Sequence, residues 1–567
     1  MDILDVLPPV DELVIGIVKA VGTTFTTQLA ELERLLNKAG YHVEKIDVSK
    51  YWKDAPGRVE PSNRFRSLWT SMEEGDNARA RRTDALALYA IRRVVELRAS
   101  NRHQKLAERY AYVVDQMVHP EEVATLRTVY GSHFILISLY QDEDERRNNL
   151  IDELQSSVDE EKRTEDPPDS AETLADRLMN RDRGDGSRDY RISIERTFHR
   201  ADVFIDVADP PHNRNVTRRR VAKPQAPVID GFSTNTLGRL FEQIFSGSRY
   251  GLTKHEVAMG YAYSASLRSG SLARRVGAAI VTPDGTLLSA GYNEVPAPGG
   301  GQYPVRQFPV QKGNLEDLDF RDDNFTPHVA DYEVDEAYGY DSNDLIKYEI
   351  FEDLIHRLKA GGYLLEEFDP WDMIALRPAG DQEPTDQENA ERLRDAELFD
   401  VIEFSRSVHA EMSALMSALR HRIPIRGCHL YTTTFPCHAC ARHIVAAGID
   451  RVVYVEPYPK SRVDELHRDS IILGRRSSDQ EKVLRRPVEF IPFIGIAPAR
   501  QAELFSATKR KYSFGEINPP GRSIEAKESS VVSPDAALRW VSAHKLLRKI
   551  VPAQRQIAER AVLETEE

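Results

Sequence analysis

The sequence contains only 3 cysteines in 567 residues. Three thiols cannot build the disulfide framework that stabilises small secreted domains. The sequence also lacks an uninterrupted apolar run of about 18 residues, which a membrane-spanning helix requires. Its first residues lack the basic segment and apolar core of a cleavable signal peptide. These absences predict a reduced, cytoplasmic protein without a membrane segment.

Acidic residues outnumber basic residues. Lysine and arginine total 76, whereas aspartate and glutamate total 90, which gives a formal net charge of −14. Such an acidic chain is not typical of a protein that coats nucleic acid, and an anionic ligand would need a local cluster of arginine and lysine. The length predicts two or three domains.

Two of the three cysteines, Cys437 and Cys440, stand directly behind Pro436 in a Cys-x-x-Cys pattern. This pattern is compatible with a redox pair in a thioredoxin-like setting, with two thiols packed as small apolar residues, or with a metal site that has further ligands. The upstream segment SVHAEMSALMSALR favours the metal site, because it places His409 and Glu411 at the start of an amphipathic helix. The ordered pair His-x-Glu and Pro-Cys-x-x-Cys is the pattern of zinc deaminases.

The chemistry of a hydrolytic zinc centre explains these residue types. His409, Cys437 and Cys440 supply three zinc ligands and leave the fourth position for water, whose pKa zinc lowers to about 7. Glu411 is not a ligand in this prediction; it moves protons from water to the leaving group. A structural zinc site normally has four protein ligands, and the motif offers three. Gly448 is the predicted end of the helix that begins behind Pro436.

The segment Gly251–Pro296 predicts a helix at His255–Ser269 and a hairpin with strands at Gly277–Thr282 and Thr286–Gly291. Together with the His-Ala-Glu helix and the Pro-Cys-x-x-Cys helix, it predicts an α/β/α sandwich. The helix, the VGAAIV strand and the GYN turn resemble those of deoxycytidylate deaminases. The resemblance implies that Asn293 of GYN contacts the substrate, whereas an asparagine that tolerates a turn conformation is the alternative.

Four longer segments, LRSGSLARRVGAAIV, GYNEVPAPGGGQYP, EPYPKS and FIGIAPARQAELF, resemble the bacterial anti-phage dCTP deaminases. In that family an N-terminal P-loop, kinase-like domain precedes a zinc deaminase of the cytidine type. The resemblance implies a P-loop domain at residues 1–245, a deaminase domain at 246–515 with an insertion at about 302–400, and a helical tail at 516–567.

The same resemblance implies an activity and a set of partners. The activity is the zinc-dependent conversion of dCTP, dCMP or both to the uracil nucleotide and ammonia, which depletes the dCTP pool in defence against phage. The implied assembly is a homo-oligomer, a hexamer in related deaminases. Restraint by a nucleotide at the N-terminal domain or by an inhibitory RNA is compatible with the family.

The N-terminal sequence ELVIGIVKAVGTTFTTQ predicts a strand, a loop and a helix, which begin a doubly wound α/β domain. Such a loop can hold phosphate at the helix N-terminus, and the candidate residues are Gly16, Lys19, Gly22, Thr23 and Thr24. The loop departs from the Walker pattern, because Gly16 and Gly22 are one residue too far apart and Thr23 replaces the lysine. Nucleotide binding and a purely scaffolding role therefore both remain open.

Later strands of this domain are predicted at Ala111–Met117, His133–Tyr140 and Ala201–Ala208, and Asp115 near the end of the first is either a metal-directed carboxylate or a solvated one. The charged segment 142–189 is interpreted as helical excursions or a linker. The basic cluster at 213–223 is interpreted as a linker or as a contact to nucleotide or RNA.

Substrate phosphates need positive charge near the zinc centre, and Arg268, Arg274, Arg275 and Lys460 are the candidates. Ion pairing with neighbouring carboxylates is the alternative role for the arginines. Two other function classes also remain: a deaminase that acts on single-stranded DNA or RNA, and a P-loop regulatory protein with a structural zinc. The first would need aromatic platforms in a basic groove, and the second leaves Glu411 unexplained.

Overall fold

A computed structural model gives the fold of the chain. The residues that the structure describes are 12–53, 61, 63–104, 109–161, 170–183, 190–207, 236–246, 251–270, 274–297, 299–302, 342–364, 407–457, 461–474 and 486–505. The predicted tail at 516–567, the basic cluster at 213–223 and Lys460 lie outside these residues.

Contacts along the chain define two compact units. Of the described residues, the first unit contains those within Met1–Val257, Glu456–Pro459 and Pro492–Glu567, and the second contains those within Ala258–Val455 and Lys460–Ile491. The sequence was interpreted as one continuous deaminase domain from 246 to 515, whereas the described residues from Pro492 onward pack with the first unit. The reason is a two-residue strand near the end of the described chain, which joins the sheet of the first unit.

The first unit is built on a six-stranded sheet with the order β2-β3-β1-β4-β5-β12. The first five strands run parallel, and β12 pairs antiparallel with β5. The strand bounds are β1 Glu12–Lys19, β2 Tyr41–Ile46, β3 Arg109–Val114, β4 Phe134–Tyr140, β5 Val203–Asp206 and β12 Gly495–Ile496. β1, β3 and β4 are almost wholly buried, as parallel strands covered on both faces are. The predicted mixed α/β architecture with a parallel sheet is therefore confirmed for this unit.

Helices connect these strands. Their bounds are α1 Thr26–Lys38, α2 Lys50–Lys53, α3 Arg64–Arg81, α4 Ala85–Gln104, α5 Pro120–Tyr130, α6 Glu143–Glu161, α7 Ala171–Arg183, α8 Ile194–Phe198, α9 Thr236–Ser246 and α15 Pro498–Phe505. The segment 142–189, interpreted as helical excursions or a linker, contains the two helices α6 and α7, which confirms the helical alternative. Their few apolar residues recur at helical spacing and form a buried cluster with α3, which explains why so polar a segment packs.

The second unit has its own six-stranded sheet with the order β10-β11-β9-β8-β6-β7. β6 pairs antiparallel with both β7 and β8, whereas β8 and β9 run parallel, as do β10 and β11. The strand bounds are β6 Gly277–Val281, β7 Leu287–Tyr292, β8 His429–Thr432, β9 Arg451–Tyr454, β10 Ile471–Leu473 and β11 Val488–Pro492. The predicted hairpin is therefore confirmed to within a residue or two at each end.

Two helices of this unit carry the zinc-deaminase motifs, α12 and α13. The helix bounds are α10 Lys254–Ser266, α11 Ser342–Ala360, α12 Ala410–Arg420, α13 His438–Ala446 and α14 Val463–Leu466. Helix α11 lies within the predicted insertion. None of the helices in the described part of the chain combines the length and apolar character that a membrane span requires.

Gly291 allows helix α12 to lie directly against the hairpin. A Cβ atom at Gly291 would stand 2.3 Å from the backbone nitrogen of Ala414 and 2.5 Å from the carbonyl oxygen of Ala410. Both contacts are far shorter than any Cβ tolerates. The helix that begins beside His409 therefore depends on a glycine in β7 for its position.

Candidate zinc site

His409 stands at the N-cap of α12, with an extended backbone (φ −62°, ψ 152°). The residue before it, Val408, pairs with Glu294 through both backbone groups: Glu294 donates to Val408 over 3.2 Å and Val408 donates back over 2.9 Å. Glu294 follows the GYN turn directly. The loop after β7 therefore fixes the backbone immediately before the predicted histidine ligand.

The two cysteines occupy the first turn of α13. Cys437 is its N-cap residue, and the Cys440 backbone N–H donates to the Cys437 Sγ over 3.4 Å. Gly448 has a φ of +75° just past the helix end, which confirms the predicted stop. Helix α13 thus places both sulfur atoms at its N-terminus, where the helix dipole favours negative charge.

The predicted ligands converge. The Nδ1 atom of His409 is 3.2 Å from the Cys437 Sγ and 3.4 Å from the Cys440 Sγ. Nitrogen and sulfur ligands of a tetrahedral zinc are about 3.5 Å apart, given bond lengths of about 2.0 and 2.3 Å. The three donor atoms lie within 4.8 Å of one another. The cluster therefore fits zinc with three protein ligands.

One of the two thiols, Cys437, is poised to lose its proton. Hydrogen bonds from Cys440 and then from His409 lower the pKa of Cys437 to about 4. The hydrogen bond to Cys437 and burial raise the pKa of Cys440, because the two sulfur atoms share one proton. A cation at this position replaces that proton, since zinc binds cysteine as thiolate.

Glu411 lies on the first turn of α12, two residues beyond His409, and is only 3% exposed. Burial raises the pKa of the Glu411 carboxyl group, and the nearby His409 opposes that shift. The Thr432 hydroxyl of β8 lies 3.4 Å from the Glu411 Oε1 atom and is fully buried. A buried carboxyl group that is not one of the three donors suits a group that takes up and releases a proton.

These features define a class of site: a zinc centre with three protein ligands and an adjacent buried carboxyl group, on a mixed α/β unit. Residues 252–456 match the family described as "Cytidine and deoxycytidylate deaminase zinc-binding region". The chain therefore carries a zinc-binding region of the cytidine and deoxycytidylate deaminase type, and zinc is its cofactor.

Individual relatives match only a short part of the chain. ComE operon protein 2 of Bacillus subtilis is 39% identical over 54 residues, which is 10% of this chain and 29% of the relative. Deoxycytidylate deaminase of Enterobacteria phage T2 is 40% identical over 55 residues, again 10% and 29%. The human deoxycytidylate deaminase is 38% identical over 47 residues, 8% and 25%. The chain thus spans less than a third of the length of these curated relatives.

A solved structure gives a further comparison. The dCMP deaminase from the cyanophage S-TIM5, in complex with dCMP and dUMP, aligns with 41% of this chain and 94% of that chain. The sequence identity is 18% and the TM-score is 0.19. An alignment with that score does not by itself define a shared fold.

Asn293 braces the loop beside the zinc site. Its Oδ1 atom accepts from the Ser269 hydroxyl over 2.8 Å and from the Val276 N–H over 2.7 Å. Its Nδ2 group donates to the Arg274 carbonyl over 2.7 Å. Most of its hydrogen-bonding capacity is therefore used within the protein, and its predicted contact with substrate stays a prediction.

The candidate phosphate-binding arginines lie around the same loop. Arg268 is exposed, and its guanidinium stacks 4.6 Å over the Tyr292 ring. Arg274 is half-buried and Arg275 is exposed, directly before β6. The Arg274 backbone lies next to the GYN turn, because its carbonyl accepts from Asn293. The role of the three arginines toward phosphate stays a prediction.

The first unit places the P-loop-like residues differently from the expectation. Gly16 lies inside β1, where a Cβ would stand about 3.0 Å from Leu136 and Phe134, so the assignment of Gly16 to the loop is corrected. The Lys19 Nζ atom forms an ion pair with Asp115 over 2.8 Å and lies 4.1 Å over the Phe25 ring. The predicted cation thus already has a carboxylate partner.

Backbone N–H groups of the loop are also engaged. Val21 donates to the Asp182 Oδ2 atom over 2.7 Å, and Thr24 donates to the Gln141 Oε1 atom over 3.0 Å. Thr23 donates to the Ala20 carbonyl over 3.2 Å, a bond within the loop itself. The Asp182 carboxylate of α7 therefore accepts from the Val21 N–H group, which a phosphate bound to this loop would need as a donor.

Two residues of the zinc region were not singled out from the sequence. Glu294 follows GYN directly, and its buried side chain accepts from the Gly270 and Val295 N–H groups while its backbone pairs beside His409. Thr432 is the last residue of strand β8, and its side chain is fully buried. The signal that could have identified Glu294 is its position directly after GYN, whereas Thr432 has no such local signal.

Proposed function

We propose that the chain catalyses the hydrolytic deamination of a deoxycytidine nucleotide, dCTP, dCMP or both. The amino group at C4 of the ring leaves as ammonia, water supplies the new carbonyl oxygen, and the uracil nucleotide remains. The observation that carries this proposal is the buried Glu411 beside the three-donor cluster of His409, Cys437 and Cys440. A structural zinc site has no use for such an acid.

The residues divide the chemistry among themselves. His409, Cys437 and Cys440 would hold zinc, and the bound metal would supply the Lewis acidity that activates water for attack on C4 of the cytosine ring. Glu411 would move one proton from that water to the ring nitrogen, and a second proton, from the hydroxyl group added at C4, to the departing amine. Burial moves the pKa of this carboxyl group toward neutral pH, which helps the group both to accept and to donate a proton. Thr432 donates to the Glu411 carboxylate and so holds it in place.

Local positive charge supports a nucleotide rather than a free nucleoside as the substrate. Arg268, Arg274 and Arg275 cluster before β6, within a chain whose net charge is −14. Local positive charge in an acidic protein suits an anionic ligand. We include Asn293 and Lys460 in this proposed substrate site on the resemblance to deoxycytidylate deaminases alone.

The direct test is product formation by the purified full chain. It is incubated separately with dCTP, dCMP, deoxycytidine, a cytosine-containing single-stranded DNA and a tRNA, and ammonia and uracil are quantified. Turnover of dCTP or dCMP that Glu411→Gln abolishes at unchanged zinc content supports the proposal. Turnover of the polynucleotides alone would favour the alternative class, and no turnover of any substrate would favour a structural zinc.

The resemblance to anti-phage dCTP deaminases extends the proposal to physiology. We propose that the enzyme acts in the cytoplasm and depletes the dCTP pool during phage infection. Cells that express the chain should lose dCTP after infection and resist phage, whereas cells that express Glu411→Gln should do neither. Equal plaque counts with both chains would contradict this role.

We further propose that the first unit restrains the deaminase and that the protein is a homo-oligomer. The support for restraint is the imperfect Walker pattern beside a complete His-Ala-Glu and Pro-Cys-x-x-Cys pair, together with the family resemblance. A nucleotide phosphate at the loop after β1 would compete with Asp182 and with the Lys19–Asp115 ion pair. An inhibitory RNA is the other restraint compatible with the family. The assay above, repeated with added ATP, GTP or RNA and with sedimentation analysis, tests each part.

A further inference from the structure

A second group of metal-ligating side chains lies in the first unit. Glu195, His199 and Glu456 each present one donor atom, and the three atoms lie within 4.8 Å of one another. Among the described residues, only this group and the zinc cluster bring three such donors together. All three residues belong to the first unit, which includes Glu456.

The separation of the donors suits a metal ion. The His199 Nε2 atom is 3.3 Å from the Glu456 Oε2 atom. Nitrogen and oxygen ligands about 2.1 Å from a tetrahedral metal are about 3.4 Å apart. A histidine–glutamate hydrogen bond alone also gives this distance, but it does not require the third donor that Glu195 supplies.

Helix α8 presents two of the donors together. Glu195 and His199 are four residues apart, in and directly after the helix, so they lie on the same face one turn apart. The backbone between them is anchored, because the Ser138 hydroxyl donates to the Phe198 carbonyl over 3.1 Å. Two ligands are therefore positioned by one anchored turn of helix.

The third donor comes from a separate and equally anchored segment. The Glu456 side chain is only 3% exposed. The carbonyl of the next residue, Pro457, accepts from the Nη2 group of Arg146, which is itself fully buried. Because both segments are held before any ion arrives, little conformational entropy is lost on binding.

We propose that Glu195, His199 and Glu456 bind one divalent transition-metal ion, separate from the deaminase zinc. Two carboxylates offset the charge of the ion, and an imidazole with oxygen ligands suits zinc, manganese or ferrous iron. The site contains no sulfur, which separates its chemistry from that of the His-Cys-Cys cluster. Its role is structural: it fastens α8 to the segment that follows β9.

The first experiment counts metal in the full-length protein. The protein is equilibrated by dialysis with low-micromolar Zn²⁺, and metal per chain is measured by mass spectrometry. The wild-type chain should hold two equivalents, His199→Ala one, and the double variant Cys437→Ser with Cys440→Ser one. His421→Ala, an exposed histidine outside both clusters, is the matched control and should hold two.

A single equivalent in the wild-type chain that His199→Ala leaves unchanged would overturn the proposal. Circular dichroism identifies any variant that has lost its fold. Glu195→Gln is the milder variant, because it keeps the size of a half-exposed side chain, and it should lower the affinity of one site at least tenfold. Unchanged affinity at both sites would equally contradict the assignment.

Titration with cobalt distinguishes the two proposed metal sites by their absorption spectra. Co²⁺ titrated into the metal-free wild-type chain should saturate the thiolate charge-transfer band after one equivalent, while visible d–d absorption continues to rise to two. In the double cysteine variant the d–d absorption should appear without the thiolate band. If both signals saturate together at one equivalent in the wild-type chain, the second site does not exist.

Discussion

The zinc ligands could be predicted at the scale of single residues because their pattern is local. His409 with Glu411, and Cys437 with Cys440, are each two or three positions apart, and each pair stands at the start of a helix. The pairing of Glu294 with Val408 could not be predicted, because it joins residues more than a hundred positions apart.

Replacing either cysteine by serine should remove zinc and activity together. The reason is that a hydroxyl is a much weaker zinc ligand than a thiolate. Cys437→Ser and Cys440→Ser are measured for zinc content and for deamination. Cys428→Ser is the control, because Cys428 is buried away from the cluster and should leave zinc unchanged. Full activity in a zinc-free Cys437→Ser protein would refute the assignment.

Arg268 should matter for the phosphate and not for the ring. A hydrogen bond to a charged group contributes about 1.5–3 kcal/mol, so Arg268→Gln should raise KM for the nucleotide roughly tenfold or more. KM for deoxycytidine should stay nearly constant. The exposed Arg468→Gln serves as the control and should leave both values unchanged. Equal rises for nucleotide and nucleoside would remove Arg268 from the phosphate site.

At the scale of elements, several strands were predicted closely because their apolar runs are short and continuous, whereas β10 and β11 were not predicted. β4 was predicted at His133–Tyr140 and spans Phe134–Tyr140. Strand β12 was missed, since two residues carry almost no pattern and its partner β5 lies far away in sequence. The helical alternative for α6 and α7 is confirmed, but their packing was not predicted, because only the spacing of their few apolar residues indicates a buried face.

Because α12 packs directly against Gly291 of β7, we expect a side chain at this position to lower stability. Gly291→Ala places a methyl group against the backbone of Ala410 and Ala414, so the helix must move. Overpacking of this kind costs about 1–3 kcal/mol, and the displaced helix carries Glu411 next to His409. We expect a lower melting temperature and weaker zinc binding.

The matched control for this change is Gly251→Ala, because a Cβ at Gly251 meets open space. It should leave both the melting temperature and the zinc affinity unchanged. A Gly291→Ala protein with the stability and zinc affinity of the wild-type chain would show that α12 tolerates the displacement.

At the scale of the whole molecule, the sequence predicted two α/β domains but not their boundaries in the chain. In sequence, the described residues of the first unit come from three stretches: those up to Val257, those within Glu456–Pro459, and those from Pro492 onward. Glu256 shows one cause: its buried carboxylate accepts from Arg239 over 2.7 Å and from the Ile496 N–H over 2.9 Å. Interactions between such distant positions leave no local trace in the sequence.

The loop after β1 gives a prediction about the first unit. The Asp182 carboxylate accepts a hydrogen bond from the Val21 N–H group of the loop. Asp182→Asn removes its negative charge, so the variant should bind ATP or pyrophosphate more tightly than the wild-type chain. Adding Lys19→Ala to that variant should reverse the gain. Calorimetric titration of the full-length chains measures both. Identical affinities in wild type and Asp182→Asn would mean that the loop serves only as scaffold.

The central claim is that this zinc centre performs hydrolytic deamination with Glu411 as its acid and base. The most direct measurement is the rate at which the full-length chain converts dCTP and dCMP to uracil nucleotides, compared with Glu411→Gln at equal zinc content. General acid–base groups contribute about 10²–10⁴-fold, so the variant should retain zinc and lose at least a hundredfold in kcat. Equal rates in the two proteins, or loss of zinc from Glu411→Gln, would contradict the account.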